Sequence, residues 1–379
     1  MSVRGFDTDG RLKITPWRII VFMAPLSVAM LFLILFIAGD FSNLPEVAAH
    51  TRWWIFLLVP FSLVVFYLLH GVRLQLALSD LGVGRKKVTD LARYILSGNL
   101  VNAMLPGMGG ELVTAFFVRR FLAVPMPQYL AASAYTKVVA LSVNVALAFL
   151  GLLIIPERRA ATSSDGFSLA QLFNIALGGL IIVAALALLF PGLLSLAARA
   201  ARRVFKVPAD NVPAPGFKLL VHRSADGLDR TAVHFRAIRR GGLRPFLRVV
   251  GVCLLINVTF TSALVMGFIA VGYVPAFHEV LLFFSVQTLI RVAAMVFVAS
   301  MGVTELTALA YWSQLTGLRP SEILVAMLSV KLWEVLEMAT ASVLLGRYVS
   351  RVPRGEFKAL LRGQAVTDPE APAAGAATP

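Results

Sequence analysis

The chain is poor in the residues on which most soluble chemistry depends. It has a single cysteine, Cys253, in 379 residues, which excludes an intramolecular disulfide and any cysteine-based metal site. Its five histidines, His50, His70, His222, His234 and His278, show no metal-site clustering, and His70 is read as a helix-packing residue. No Gly-x-x-x-x-Gly-Lys-Ser/Thr loop occurs, so P-loop nucleotide hydrolysis is not encoded; Gly82-Val83-Gly84-Arg85-Lys86-Lys87 lacks the third glycine of a phosphate loop. No Ser/His/Asp arrangement follows from spacing. Charge is scarce as well, with Asp, Glu, Lys and Arg making up 15% of the chain and only eight lysines present. These absences give the expectation of a non-enzymatic protein with no cofactor and no bound metal.

What is present is apolar length. Hydrophobic residues make up 58% of the chain and the mean hydropathy is +0.81, more apolar surface than a soluble domain can bury. Hydrophobic runs fall at about 17–39, 53–79, 91–118, 128–155, 171–198, 246–273, 279–316 and 322–346. The first is long enough to span and has no small-residue cleavage site after it, so it is expected to remain as a span. The net charge of +15 sits beside these runs, as the positive-inside rule requires, and does not point to nucleic acid. The Ala/Pro-rich tail, 367–379, is expected to be disordered, leaving 1–366 as one integral membrane domain.

Two runs are broken at Leu105-Pro106-Gly107-Met108-Gly109-Gly110 and at Ser300-Met301-Gly302. Broken backbone at membrane depth is tolerated only inside protein or beside a water-filled cavity, so both are expected to be re-entrant helical hairpins. Placing every basic segment in the cytoplasm (the N-terminus, 85–87, 119–120, 199–248 and 347–358) requires each broken run to enter and leave on one side. The expected fold is therefore all-α and polytopic, with about six full spans plus two re-entrant helical hairpins in an inverted-topology repeat. Repeat one covers about 53–155 and repeat two about 246–346. A cytoplasmic basic loop, about 199–245, carries apolar residues among its arginines, which suits anionic inner-leaflet lipid as well as a plain linker. Both termini are expected in the cytoplasm.

Independent support for a repeat comes from charge spacing. Glu111 is followed 26 residues later by Lys137, and Glu305 is followed 26 residues later by Lys331. Each glutamate stands beside a glycine-containing break (Gly109-Gly110 and Gly302) and each lysine in the apolar run that follows. Ionisable groups in hydrocarbon are costly and mark pathways, substrates or structural partners. Asn99 and Asn102 lead into the first break, where Pro106, Gly107, Gly109 and Gly110 free backbone groups, and Glu111 either lines a headgroup path or caps a helix start. Lys137 has Ala140 and Leu141 one turn on, so it must pair across helices, bind an anion or lose its proton. Lys331 has Glu334 and Glu337 within two turns. Arg291, within the second broken run, suits phosphate through its planar fork or clamps two helices together.

The stretch Asn99-Leu100-Val101-Asn102-Ala103-Met104-Leu105-Pro106-Gly107-Met108-Gly109-Gly110-Glu111 resembles the signature of the lysylphosphatidylglycerol synthase transmembrane, or flippase-like, family. Met301-Gly302-Val303-Thr304-Glu305, with Gly317, is similar to that family's second motif. Departures are Thr136, Lys137 and Ala140, where Glu-Arg and a following Asp are usual, and Lys331, where arginine is frequent. The resemblance covers roughly 15–350 and implies a stand-alone lipid-handling unit, because the aminoacyl-transferase domain of full-length members has no counterpart here. Relatives are associated with hopanoid, glycolipid or polyprenyl-phosphate pathways. The expectation is a lipid translocase of the cytoplasmic membrane acting on an anionic or glycosylated lipid or a polyprenyl-phosphate-type amphiphile. Lys137, Lys331 and Arg291 would meet the phosphate, and Glu111 and Glu305 hydroxyl or amine groups or a coupling proton. The alternatives are a membrane subunit that presents lipid to a biosynthetic enzyme and, behind both, a transferase using a lipid-phosphate donor.

Overall fold

The computed structural model of the chain describes residues 43–104, 109–153, 191–205, 233, 243–281, 309, 312–313 and 316–352. Every extended element among them is helical: α1 (Leu44–His50), a 3-10 turn (Trp53–Leu58) running into α2 (Val59–Asp80), α3 (Val88–Met104), α4 (Gly109–Leu122), α5 (Met126–Leu153), α6 (Pro191–Val204), α7 (Leu243–Ala270) and α8 (Pro320–Val349). Two of these, Trp53–Asp80 and Leu243–Ala270, are long and apolar enough to cross a membrane, with mean hydropathies of 2.3 and 2.2. The runs at 53–79, 128–155, 246–273 and 322–346 thus become α2, α5, α7 and α8. The 17–39 run, most of 171–198 and most of 279–316 fall outside the described residues, as does the 367–379 tail.

The first broken run folds as two helices, α3 and α4, lying against each other. Contacts pair late α3 with early α4 and earlier α3 with later α4: Asn102 with Gly110, Gly98 with Thr114, and Tyr94 with Phe117 and Phe121. Opposite progression along the two chains means the helices are antiparallel. They approach through glycine, since a Cβ on Gly98 would stand 1.9 Å from Thr114 Oγ1 and one on Gly110 would stand 2.0 Å from the Gly98 carbonyl oxygen. Only hydrogen fits at such a crossing.

Helix ends recur at a fixed offset. After α2, Gly82 takes φ +78 and Val83 N–H donates back to the Leu78 carbonyl at 3.0 Å. After α7, Gly272 takes φ +89 and Tyr273 N–H donates to the Phe268 carbonyl at 2.9 Å. This is the Schellman ending, which needs a left-handed residue and therefore favours glycine. Both sites are 190 positions apart. Outward-facing apolar residues follow the same offset: Leu57, Val64 and Leu68 on the first helical unit match Leu247, Leu254 and Val258 on α7, all exposed. A stripe of this kind is stable against hydrocarbon and costly in water.

A second pair of turns leads into α5 and α8. Ala123 (φ 52) and Gly317 (φ 70) are each left-handed, and each N–H bonds a carbonyl four residues back, to Arg119 at 3.1 Å and to Ser313 at 3.3 Å. The helices begin three positions later, at Met126 and Pro320. Lys137 and Lys331 then fall at matching places, eleven positions into α5 and α8.

The inner faces close two main cores. One joins Leu78, Leu91, Tyr94, Phe117, Val139 and Tyr348; the other joins Leu63, Leu96, Leu100, Phe260 and Trp333. Burying such side chains stabilises by about 1.5–3 kcal/mol each against water. In lipid that gain vanishes and close packing takes over. Gly267 shows it: a Cβ there would stand 2.0 Å from the Ala326 carbonyl oxygen of α8.

Candidate functional site

Two polar clusters cross between helices, one tying α2 and α3 to α8 and the other tying α4 to α5. The second is built on Glu111, in the first turn of α4, where the helix N-terminus favours a carboxylate. Its Oε1 lies 2.6 Å from Lys137 Nζ. Its Oε2 accepts from Ser133 Oγ at 2.7 Å and from Tyr129 OH at 3.2 Å. Tyr129, Ser133 and Lys137 are four residues apart in turn, so they form one stripe along α5 facing α4.

The register of the α4–α5 hairpin explains the meeting. Glu111 lies eleven positions before Leu122 and Lys137 eleven after Met126, so the two are equidistant from the turn that joins antiparallel helices. Both therefore sit about 16 Å from that turn, at 1.5 Å per residue. The pair is unequal in exposure: the Glu111 side chain is 16% accessible and that of Lys137 is 50%. One partner is fixed by three donors while the other keeps an open side.

The asparagines of the first motif have separate structural tasks. Asn102 Oδ1 accepts from Gly110 N–H at 2.7 Å, satisfying one of the four orphan donors at the start of α4. The cap therefore comes from α3, across the break, leaving the Glu111 carboxylate for α5. Asn99 Nδ2 donates to Tyr67 OH at 2.9 Å, and Tyr67 OH donates in turn to Glu337 Oε1. This chain ties α3 and α2 to α8. A further polar bridge, Asn257 Nδ2 to Asn144 Oδ1 at 2.7 Å, ties α7 to α5. Asn257 stands 190 positions after Tyr67, the offset of the two Schellman endings, and Asn144 stands 193 positions before Glu337.

Lys331 Nζ bonds Glu334 Oε2 at 2.7 Å on its own helix, with its side chain 10% accessible. Lys331 and Glu337 are six residues apart, about 240° around α8, so Lys331 does not share the face that meets Tyr67. Arg291, Gly302 and Glu305 lie outside the described residues, as do Pro106 and Gly107. Gly109 is the first residue of α4.

Several polar residues here are ones that motif reading passes over: Tyr67, Tyr129 and Ser133, together with Arg73; Glu337 reads in the sequence as a neighbour of Lys331 and instead meets Tyr67. The available signal is spacing. Tyr67, His70 and Arg73 recur every three residues along a mostly apolar helix, a polar stripe that serves no purpose against lipid. Arg73 Nη2 lies 3.2 Å from His70 Nδ1, and the His70 ring packs 4.4 Å from that of Phe66. Among the described residues no group of three or more His, Cys, Asp or Glu side chains could hold a metal ion.

The arrangement offers a neutralised acid–base pair with one open flank, and, apart from it, hydrogen-bonded bridges that tie α2 and α3 to α8 and α7 to α5. Neither the curated proteins nor the solved structures gave a match to this chain. The profile of the family described as lysylphosphatidylglycerol synthase TM region matches residues 19–338, nearly the whole chain and both sequence motifs, and the chain belongs to that family of membrane proteins.

Proposed function

We propose that the protein is a lipid translocase of the cytoplasmic membrane that moves an anionic or glycosylated amphiphile between leaflets. The observation that carries this reading is the Glu111–Lys137 pair, bonded at 2.6 Å about 16 Å from the turn that joins α4 to α5, with Lys137 still half open. A purely structural pair is best sealed, because a charge in hydrocarbon is stabilised only by complete pairing. An open flank suits a ligand that takes over one partner: headgroup phosphate on Lys137, with Glu111 turning to a hydroxyl, an amine or a proton.

The inverted-topology repeat supplies the transport step. In support of it stand the matched Schellman endings, the matched turns at Ala123 and Gly317, and the paired polar bridges. The α3–α4 hairpin carries Asp90 and Arg93 at one open end and Arg119 and Arg120 at the other, so its apex points into the bilayer and its ends face the cytoplasm. Rocking one half against the other then exposes the centre to each leaflet in turn. With no nucleotide motif in the chain, the driving force is a gradient of substrate or ion, or exchange is passive.

The lipid-presenting subunit is favoured by one observation: Lys331 is 10% accessible and is held by Glu334 on its own helix, so this pair offers no open cation. Reconstitution separates the two readings. Protein in liposomes is expected to exchange fluorescent phosphatidylglycerol or a labelled polyprenyl phosphate between leaflets, read by loss of outer-leaflet signal to a membrane-impermeant quencher. Exchange no faster than in empty liposomes, across both lipid classes, would refute translocation and leave the presenting role.

A further inference from the structure

Arg73 differs from the other cations of the embedded core. Lys137 is matched by Glu111 and Lys331 by Glu334. Arg73 has no carboxylate partner among the described residues; its Nη2 lies 3.2 Å from His70 Nδ1, and it also hydrogen-bonds the Cys253 thiol, a weak acceptor. It cannot be explained as an arginine snorkelling to the surface. Arg73 lies seven positions from the end of α2, about 10 Å, and its guanidinium reaches back one turn toward His70, deeper into the helix bundle.

The hydrogen-bond inventory then fixes a donor excess. A guanidinium only donates, so His70 Nδ1 accepts and the neutral ring carries its proton on Nε2. His70 Nε2 and Arg73 Nε are both buried without a partner. Two N–H donors one turn apart therefore lack acceptors, a deficit that stable interiors rarely leave open. The charge of Lys137 on α5 acts on His70 as well, and the Cys253 thiol of α7 hydrogen-bonds Arg73. Around this level stand one cation without a counterion and one neutral imidazole. The acids are Glu111, held by Lys137, and Glu337, engaged by Tyr67.

The repeat rules out a need for polarity in building this level. At the offset of 190 set by Gly82 and Gly272, His70 becomes Phe260 and Arg73 becomes Ala263, both buried apolar residues of α7. There Phe260 and Ala263 pack into the apolar core that also holds Leu63 and Trp333. Both side chains of the α2 pair are only partly buried, so rotation of the arginine brings its fork to a ligand.

We propose that Arg73 and His70, flanked by Lys137, form the anion site of this protein and that it takes a single phosphate group, mono- or diester. A planar fork matches phosphate oxygens through paired charge-assisted bonds, and His70 Nε2–H supplies a third. The proposal rests on the translocase reading for its setting but not for its test.

Binding is measured on purified protein in detergent, by thermal shift and titration, with three probes: dioctanoyl phosphatidylglycerol, dioctanoylglycerol and inorganic phosphate. Saturable binding of the phospholipid and none of the diacylglycerol is expected. Arg73→Gln is expected to weaken phospholipid binding at least ten-fold, and Arg73→Lys, which keeps charge but not the fork, by a smaller factor. Inorganic phosphate that binds in an Arg73-dependent way identifies the free anion as a ligand of the same site. If Arg73→Gln does not fold, Arg73→Lys and His70→Phe, the residue the second half uses, carry the comparison. Phospholipid binding at wild-type strength in these variants overturns the site. Arg73-dependent binding without leaflet exchange keeps the site and overturns translocation; exchange with Arg73-independent binding does the reverse.

Discussion

At the scale of single residues, the decisive question is what each embedded charge touches. Glu111 has three donors and Lys137 has one carboxylate, so removing either leaves the other in a poor solvent. Breaking a fully buried pair costs about 3–5 kcal/mol. Lys137 is half open, so Glu111→Gln is expected to cost less, about 1–2 kcal/mol, by partial relief of the lysine in water or headgroup. Glu111→Gln combined with Lys137→Met should recover most of that loss in a double-mutant cycle of melting temperatures; additive losses would show that the two do not interact. Tyr67→Phe removes one hydroxyl and with it both bonds of the Asn99–Tyr67–Glu337 chain. It is expected to lower stability by about 1–2 kcal/mol while leaving helix content unchanged by circular dichroism. The sequence already marked Lys137 as a cation without an acid one turn away. Its partner became legible only with the turn at 123–125 in place, because equal distance from that turn, rather than nearness along the helix, brings Glu111 to it.

At the scale of elements, packing rests on glycine. Gly98→Ala would set a methyl 1.9 Å from the Thr114 hydroxyl and 2.6 Å from the Gly110 carbonyl, whereas Gly267→Ala would meet the Ala326 carbonyl at 2.0 Å. Both are expected to destabilise by about 1–3 kcal/mol, as overpacking does. The two should differ in rescue. Thr114→Ala removes one of the atoms that Gly98→Ala meets and should restore part of the stability, whereas the backbone oxygen at Ala326 admits no such relief. Equal rescue of both would contradict the assigned crossings. The hairpin break was legible from Pro106 and the glycines around it, since these residues end helices whatever surrounds them. The close crossing was not, because a glycine that permits approach and one that merely ends a helix look alike in one dimension.

At the scale of the whole molecule, apolar runs and basic flanks set the order of helices before any contact is known, since hydrocarbon constrains span length and charge placement so tightly. The proposed equivalence of the halves starts from two spacings of 26 residues and is supported by offsets of 190 and 194 positions between similar turns. The Arg73–His70 level lay outside every motif because it breaks that equivalence. Opposed orientation of the halves is checked with the native cysteine replaced by serine and one new cysteine introduced at a time. Lys86→Cys should react with an impermeant maleimide only from the cytoplasmic side and Val274→Cys only from the outside; labelling of both from one side would rule out the inverted arrangement. By the register shared with the first pair, Glu305→Gln and Lys331→Met should also couple in a double-mutant cycle, and independent effects would make the second spacing coincidental.

The central claim, that the open Glu111–Lys137 pair serves lipid passage rather than stability alone, is tested most directly by leaflet exchange of fluorescent phosphatidylglycerol in liposomes. The comparison is between wild type and the Glu111→Gln/Lys137→Met double variant, reconstituted at equal density and shown to melt at similar temperatures. The account predicts exchange reduced at least ten-fold in the double variant. Wild-type exchange by a stable double variant would contradict it.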